Sequence, residues 1–195
     1  AIFSRTKENE NALAPFDTIV KNYDYPDFQY REKNQDKEIR DGIIKDIQSI
    51  VKTYENREIF MYGPGTFGQK ITHPDHKIVH DAFIDFSKTN KKLNLHFFVY
   101  EDFPYVRQFM NTSFGNFNDF LNKQENIMFK ENPIELNKSE LDEKISSIDA
   151  YKSQIKAFLS LGDDLGIIAD KFFQSRCKNI DSNFFACEVV HSFSN

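Results

Sequence analysis

Between Lys37 and Tyr54 the apolar residues Ile39, Ile43, Ile44, Ile47, Ile50 and Val51 recur at three- and four-residue steps, which predicts an amphipathic helix. A β-type run, Glu58 to Tyr62, follows and ends at Gly63-Pro64-Gly65. Ile78, Val79, Ala82, Phe83 and Phe86 then predict a second helix over about 74–88, with Pro74 in its first turn. Leu93 to Tyr100 reads as the next strand, so helix, strand, helix and strand alternate in the βαβ manner of an α/β protein. The expected architecture is a Rossmann-like three-layer sandwich with a mostly parallel sheet.

The flanking segments read less sharply. Arg5 to Ala14 has helical composition and is halted by Pro15; Thr18-Ile19-Val20 is β-prone and leads to a Tyr25-Pro26-Asp27 turn. Phe114, Phe117 and Phe120 stand at three-residue steps, either a helix face or an insert. Met128 to Glu135 reads as a strand broken by Pro133. Ser139 with Asp142 three residues on predicts the start of a helix reaching Leu161. A last helix is expected over Asp164–Cys177 and a closing strand over Phe184–Val190.

At 195 residues the chain fits one domain, and 21 phenylalanines with no tryptophan predict an aromatic core. Thirty acidic and 25 basic residues give a net charge of −5 without a basic block, which argues against nucleic acid as a partner. No apolar run approaches the ~20 residues of a membrane span, and a soluble, cytoplasmic protein is expected. Cys177 and Cys187, ten apart and without CxxC spacing, read as free thiols.

Chemistry concentrates in Ile71-Thr72-His73-Pro74-Asp75-His76-Lys77-Ile78-Val79-His80, which holds three of the five histidines. Thr72 or His73 would cap the helix, His76 and His80 would share a face, and all follow the carboxyl end of a strand, where open α/β sheets bind ligands. Two imidazoles around a carboxylate make a fragment of a zinc site, one ligand set short of the three that a catalytic zinc needs. The same residues also read as a hydrogen-bonded helix start. His96 and His191 read as structural.

An ordered set of short motifs resembles the PIG-L/LmbE-like deacetylases. It comprises Arg5 with nearby glutamates, the Tyr25-Pro26-Asp27 turn, His73-Pro74-Asp75-His76, Tyr100-Glu101-Asp102-Phe103-Pro104-Tyr105, Tyr151-Lys152-Ser153-Gln154, and Phe185-Ala186-Cys187-Glu188. Each alone is a weak signal; HPDH is moderately specific, and the order carries the resemblance. It implies a zinc-dependent hydrolase that removes acetyl from an N-acetylglucosamine-type sugar conjugate. By resemblance His76 ligates Zn2+, His73 meets the oxyanion or protonates the leaving amine, and Arg5 and Asp27 line the sugar pocket. Asp75 is expected to orient a histidine, while Asp102 and Tyr105 suit hydrogen bonding and stacking to a hexose.

The family's AHPDD-type motif, which completes the metal site, has no counterpart in this chain. The resemblance therefore implies a single domain over 1–195 lacking an amino-terminal strand-helix-strand portion, with that segment or a second chain as a partner that completes the site. Two rival readings differ in class: a metal-free carbohydrate-binding or interaction domain derived from this fold, and an unrelated α/β enzyme whose site is completed by Glu101, Asp102 or His80.

Overall fold

The computed structural model describes residues 2–32, 34–67, 72–110, 116–155, 164–178 and 185–194. In chain order they form α1 (Ile2–Leu13), a 3-10 turn (Phe28–Tyr30), α2 (Asp36–Thr53), β1 (Ile59–Pro64), α3 (Pro74–Thr89), β2 (Leu95–Tyr100) and α4 (Tyr105–Met110). These are followed by α5 (Phe117–Glu125), β3 (Phe129–Leu136), α6 (Lys138–Asp149), α7 (Lys152–Ile155), α8 (Leu165–Cys177) and β4 (Ala186–Phe193). The α/β class is as expected. The sheet order is β1-β2-β4-β3, with β1 parallel to β2 and β4 antiparallel to β2. The mostly parallel sheet of the sequence reading is thus a mixed one. The crossover through α3 sets the direction of β2, whereas β4 returns after a long excursion for which no βαβ pattern dictates a direction.

Contacts divide the chain into two compact units, Ala1–Tyr23 with Pro133–Glu188 and Asp24–Asn132 with Val189–Asn195. In the second, α3 buries Ile78, His80, Ala82, Phe83, Ile84 and Phe86. Val79, expected on the apolar face, is instead half-exposed, and His80 takes a place in the interior. Phe83 and Phe86 meet Phe97 of β2 edge-on at 5.8 and 6.1 Å, and Phe129 packs on Phe193 at 4.8 Å. The core is aromatic, as 21 phenylalanines require. On the opposite face of β1, Phe60 stacks on His96 and Tyr62 on Phe98, the directly opposed pairs of the parallel register.

Gly63 lets α3 approach β1. A Cβ there would lie 2.5 Å from Cδ1 of the buried Phe83 ring. Gly63→Ala should therefore destabilise the chain by about 1–3 kcal/mol, the range for overpacking a filled core, as read by chemical denaturation. An unchanged midpoint would show that the helix shifts without cost.

In the first unit, α6 is capped by Asn137, two residues before the expected Ser139. Asn137 accepts from the Glu140 N–H at 3.0 Å while Glu140 accepts from the Asn137 N–H at 2.8 Å, a reciprocal capping box. The single helix expected up to Leu161 stops at Asp149, and α7 follows; residues 156–163 lie outside the described ones. α7 is tied to α1, with Glu8 accepting from the Ser153 N–H at 2.8 Å and its hydroxyl at 2.6 Å, and Tyr151 donating to Asn9 at 2.8 Å. Two of the motif stretches thus clasp each other.

Three further expectations change. Thr18–Val20 forms no strand, and Ile19 is 91% exposed, so nothing buries or pairs the run. Pro133 lies inside β3 rather than breaking it; β3 is an edge strand, where a missing N–H is tolerated. Cys177 and Cys187 are not free thiols but a disulfide, their Cα atoms 5.2 Å apart, joining the end of α8 to the start of β4. Ten-residue spacing says nothing of two termini brought side by side by a helix and a strand. Among the described residues no helix is long and apolar enough to cross a membrane.

Candidate functional site

α3 begins where the sequence places it. Pro74 occupies the first helical position, and His73 is the N-cap, its Nδ1 accepting the Asp75 N–H at 3.3 Å. That bond has a chemical consequence. An Nδ1 that accepts carries no proton, so the neutral His73 ring holds its proton on Nε2 and is a donor there. His73 is about half-exposed, at the mouth of the helix start.

His76, one turn on, is arranged the opposite way. Its Nδ1 meets the Asp102 carboxylate, so Nδ1–H donates and the Nε2 lone pair is left as an acceptor or ligating nitrogen. The two rings lie 5.9 Å apart, and Tyr105 of α4 sets its ring edge against His76 at 5.0 Å. Burial works against a charged His76, yet the hydrogen bond to Asp102 and the charges of Asp102 and Asp75 outweigh it and hold this imidazole above its ordinary value. Tyr105 is pushed up to about 12, by burial first and then by Asp102 and Asp75, so its hydroxyl remains protonated and able to donate.

The raised His76 value fixes a sign. The pair's contribution to stability is complete below the unfolded histidine value of about 6.5 and is lost as pH rises through the folded value. In chelator-treated protein, Asp102→Asn should lower the His76 titration midpoint seen by NMR. An unmoved midpoint would mean that Asp102 does not carry the effect.

Asp75 is held from the side of the Tyr25-Pro26-Asp27 turn. Its Oδ1 accepts from Arg31 Nη1 at 2.6 Å and from the Phe28 N–H at 3.1 Å, while its Oδ2 stands 3.5 Å from His73 Nδ1. Arg31, whose side chain is 4% exposed, also meets Asp36 at 3.3 Å. Asp27 immediately precedes the 3-10 turn Phe28–Tyr30, and its carbonyl accepts from the Tyr30 N–H at 2.8 Å. The structure thus gathers His73, Asp75, His76, Asp102 and Tyr105, with Asp27 beside Asp75's backbone partner. Asp75 braces the helix start, while the carboxylate that orients His76 is Asp102. Arg5 stands on α1 of the other unit, near Glu8, whose carboxyl is held low by Ser153 first and by Arg5 least.

Two candidates for completing a metal site face elsewhere. His80 is fully buried, with Nδ1 on the Pro64 carbonyl at 2.7 Å and Nε2 3.4 Å from Glu125. Glu101 turns to His191, Nε2 to Oε1 3.2 Å. Among the described residues no group of three His, Cys, Asp or Glu side chains is placed to hold a metal ion. His76 Nε2 has the lone pair a metal ligand needs, but the described set does not by itself fit a catalytic zinc.

Sequence reasoning missed Arg31 and His191. Arg31 was signalled only by its place four residues after Asp27, and His191 carried no local signal.

No family model matches the chain, and no curated protein matches it by sequence. Solved structures do match in fold. The zinc-inhibited form of teicoplanin deacetylase Orf2 superposes with a TM-score of 0.66 at 16% identity, over 98% of this chain and 74% of that one. The A40926 pseudoaglycone deacetylase Dbv21 gives 0.68 at 16%, over 98% and 70%. A deacetylase–teicoplanin complex gives 0.62 at 13%, over 99% and 74%. At these identities the likeness establishes a shared fold.

Proposed function

We propose that this chain carries the imidazole centre of a PIG-L/LmbE-like N-deacetylase that hydrolyses the acetamide of an acetylated amino-sugar conjugate. The observation that carries the reading is the complementary pair of rings, His73 accepting at Nδ1 and His76 bonded through Nδ1 to Asp102, 5.9 Å apart on a fold shared with teicoplanin and A40926 pseudoaglycone deacetylases. Amide hydrolysis needs both functions. A donor must meet the oxyanion or the leaving amine, and a basic nitrogen must organise the attack. His73 serves as the donor. His76, held upright by Asp102, presents the nitrogen, and Tyr105 supplies a protonated hydroxyl beside it. Asp75 keeps the helix start in place through Arg31 and Phe28. Arg5 and Asp27 are proposed sugar contacts.

Zinc belongs to this reading through His76 alone, and the further ligands would come from an additional segment or a second chain. The disulfide bears on location. Such bonds persist in oxidising surroundings, which sets the cytoplasmic expectation against an extracytoplasmic one; we favour the second.

The test is acetate release from an N-acetylglucosamine conjugate, with zinc content measured on the same preparation. Acetate produced in proportion to bound zinc supports the reading. Zinc-loaded protein that releases none overturns it in favour of a binding domain.

A further inference from the structure

Behind the site, the residue next to Asp102 is buried and charged. Glu101 is 5% exposed and His191 is fully buried, and neither has a part in the chemistry proposed above. Burying a carboxylate is expensive unless it is hydrogen-bonded, and an apolar residue of similar size would serve packing better. The surroundings show how it is held. Asn118 of α5 donates from Nδ2 to the Phe129 carbonyl at 3.1 Å, which fixes the orientation of its amide. Its Oδ1 therefore faces His191 Nδ1, at 3.0 Å, and Nδ1 must be the donor. His191 Nε2 is left facing Glu101 Oε1 at 3.2 Å. The Phe117 ring closes the imidazole edge-on at 5.1 Å.

Glu101 and Asp102 follow directly on β2, and the Glu101 N–H still bonds to the Val189 carbonyl at 3.3 Å. Successive side chains of extended backbone point to opposite sides. Pinning Glu101 on His191 therefore turns Asp102 to the other side of the strand end, where it meets His76, and the Asp102 carbonyl is fixed in turn by the Val106 N–H at 2.9 Å.

We propose that Glu101, His191 and Asn118 form a positioning chain that aims Asp102 at His76. None of the three touches the reacting atoms; they act through Asp102. This rests on the reading of His76 and Asp102 as the functional pair, but its test requires no substrate.

The experiment uses the 195-residue chain labelled with 15N-histidine, treated with chelator. The signal followed is the His76 Nδ1–H proton, moved downfield by its bond to Asp102, with Asp102→Ala as the reference for a broken bond. His191→Leu should move the signal towards that reference while the remaining spectrum stays folded. His191→Gln, whose amide can still donate to Glu101, should restore it. A folded His191→Leu protein with an unmoved His76 signal overturns the proposal. Should that variant not fold, Asn118→Ala decides: it frees the ring at Nδ1, so a displaced His76 signal supports the chain and an unchanged one overturns it. Absence of acetate release alongside the expected spectra would remove the deacetylase reading and leave this one standing.

Discussion

Replacing His76 by alanine should lower acetate release by about 10²–10³-fold, the usual cost of removing one preorganised group from a reacting centre, or roughly 3–4 kcal/mol of transition-state stabilisation. On the proposed reading the loss should fall on kcat rather than KM, because His76 is given a part in the chemical step and none in holding the sugar. His73→Ala should cost a comparable factor by removing the Nε2–H donor, yet leave the fold intact, since His73 is half-exposed. Combined, the two losses should fall short of the product of the single ones, because the rings act as a unit on one substrate. The assay is initial-rate acetate release over a range of substrate concentrations. A His76→Ala protein of unchanged kcat would remove the imidazole pair from the mechanism.

The parts of this centre differ in how they could be read from sequence, and the difference is range. The start of α3 is a local matter: Pro74 has its φ preset for the first helical position and His73 precedes it, so cap, helix and the exposure of His73 all follow from neighbours in the chain. The amphipathic period of α2 and the β-type runs of β1 and β2 are equally local, and the elements lie within a few residues of their expected bounds. Asp102 lies 26 residues from His76, Arg31 lies 44 from Asp75, and His191 lies 90 from Glu101. Nothing in the period of a helix or strand specifies which loop carboxylate meets which ring. The sequence reading gave the orienting role to Asp75, whereas the crossover through α3 places the Glu101-Asp102 turn beside the start of that helix and Asp102 against His76.

The same argument explains Val79 and His80. A helical stripe drawn from apolar residues includes the first and leaves out the second, but the end of β1 offers the Pro64 carbonyl at a point one turn past His76. A histidine bonds there through Nδ1, which offsets part of the cost of its burial, and Val79 faces outward. Likewise the cap of α6 went to Asn137 rather than Ser139 because Asn137 has a glutamate at the third helical position to close the reciprocal bond.

Reducing the Cys177–Cys187 disulfide should cost roughly 3 kcal/mol, the chain-entropy value for closing a loop of about ten residues. Both cysteines are buried, so reduction also leaves two thiols in the space of a bond rather than exposing them to water. The loss should concentrate in the first unit, where α8 packs on α6 and Lys144 of α6 pairs with Glu188 at 2.9 Å, one residue beyond Cys187. Unfolding by guanidinium with and without reductant gives the difference, and the Cys177→Ser/Cys187→Ser double variant should match the reduced protein and not respond to reductant. Hydrogen exchange should accelerate in α8 and the start of β4 while the amides of α3 stay protected, because the histidine helix belongs to the other unit. A reduced chain of unchanged stability would mean that the packing of α6 and α8 suffices by itself. It would also weaken the inference that this protein works in oxidising surroundings, since a bond that contributes nothing to the fold gives no reason to keep it oxidised.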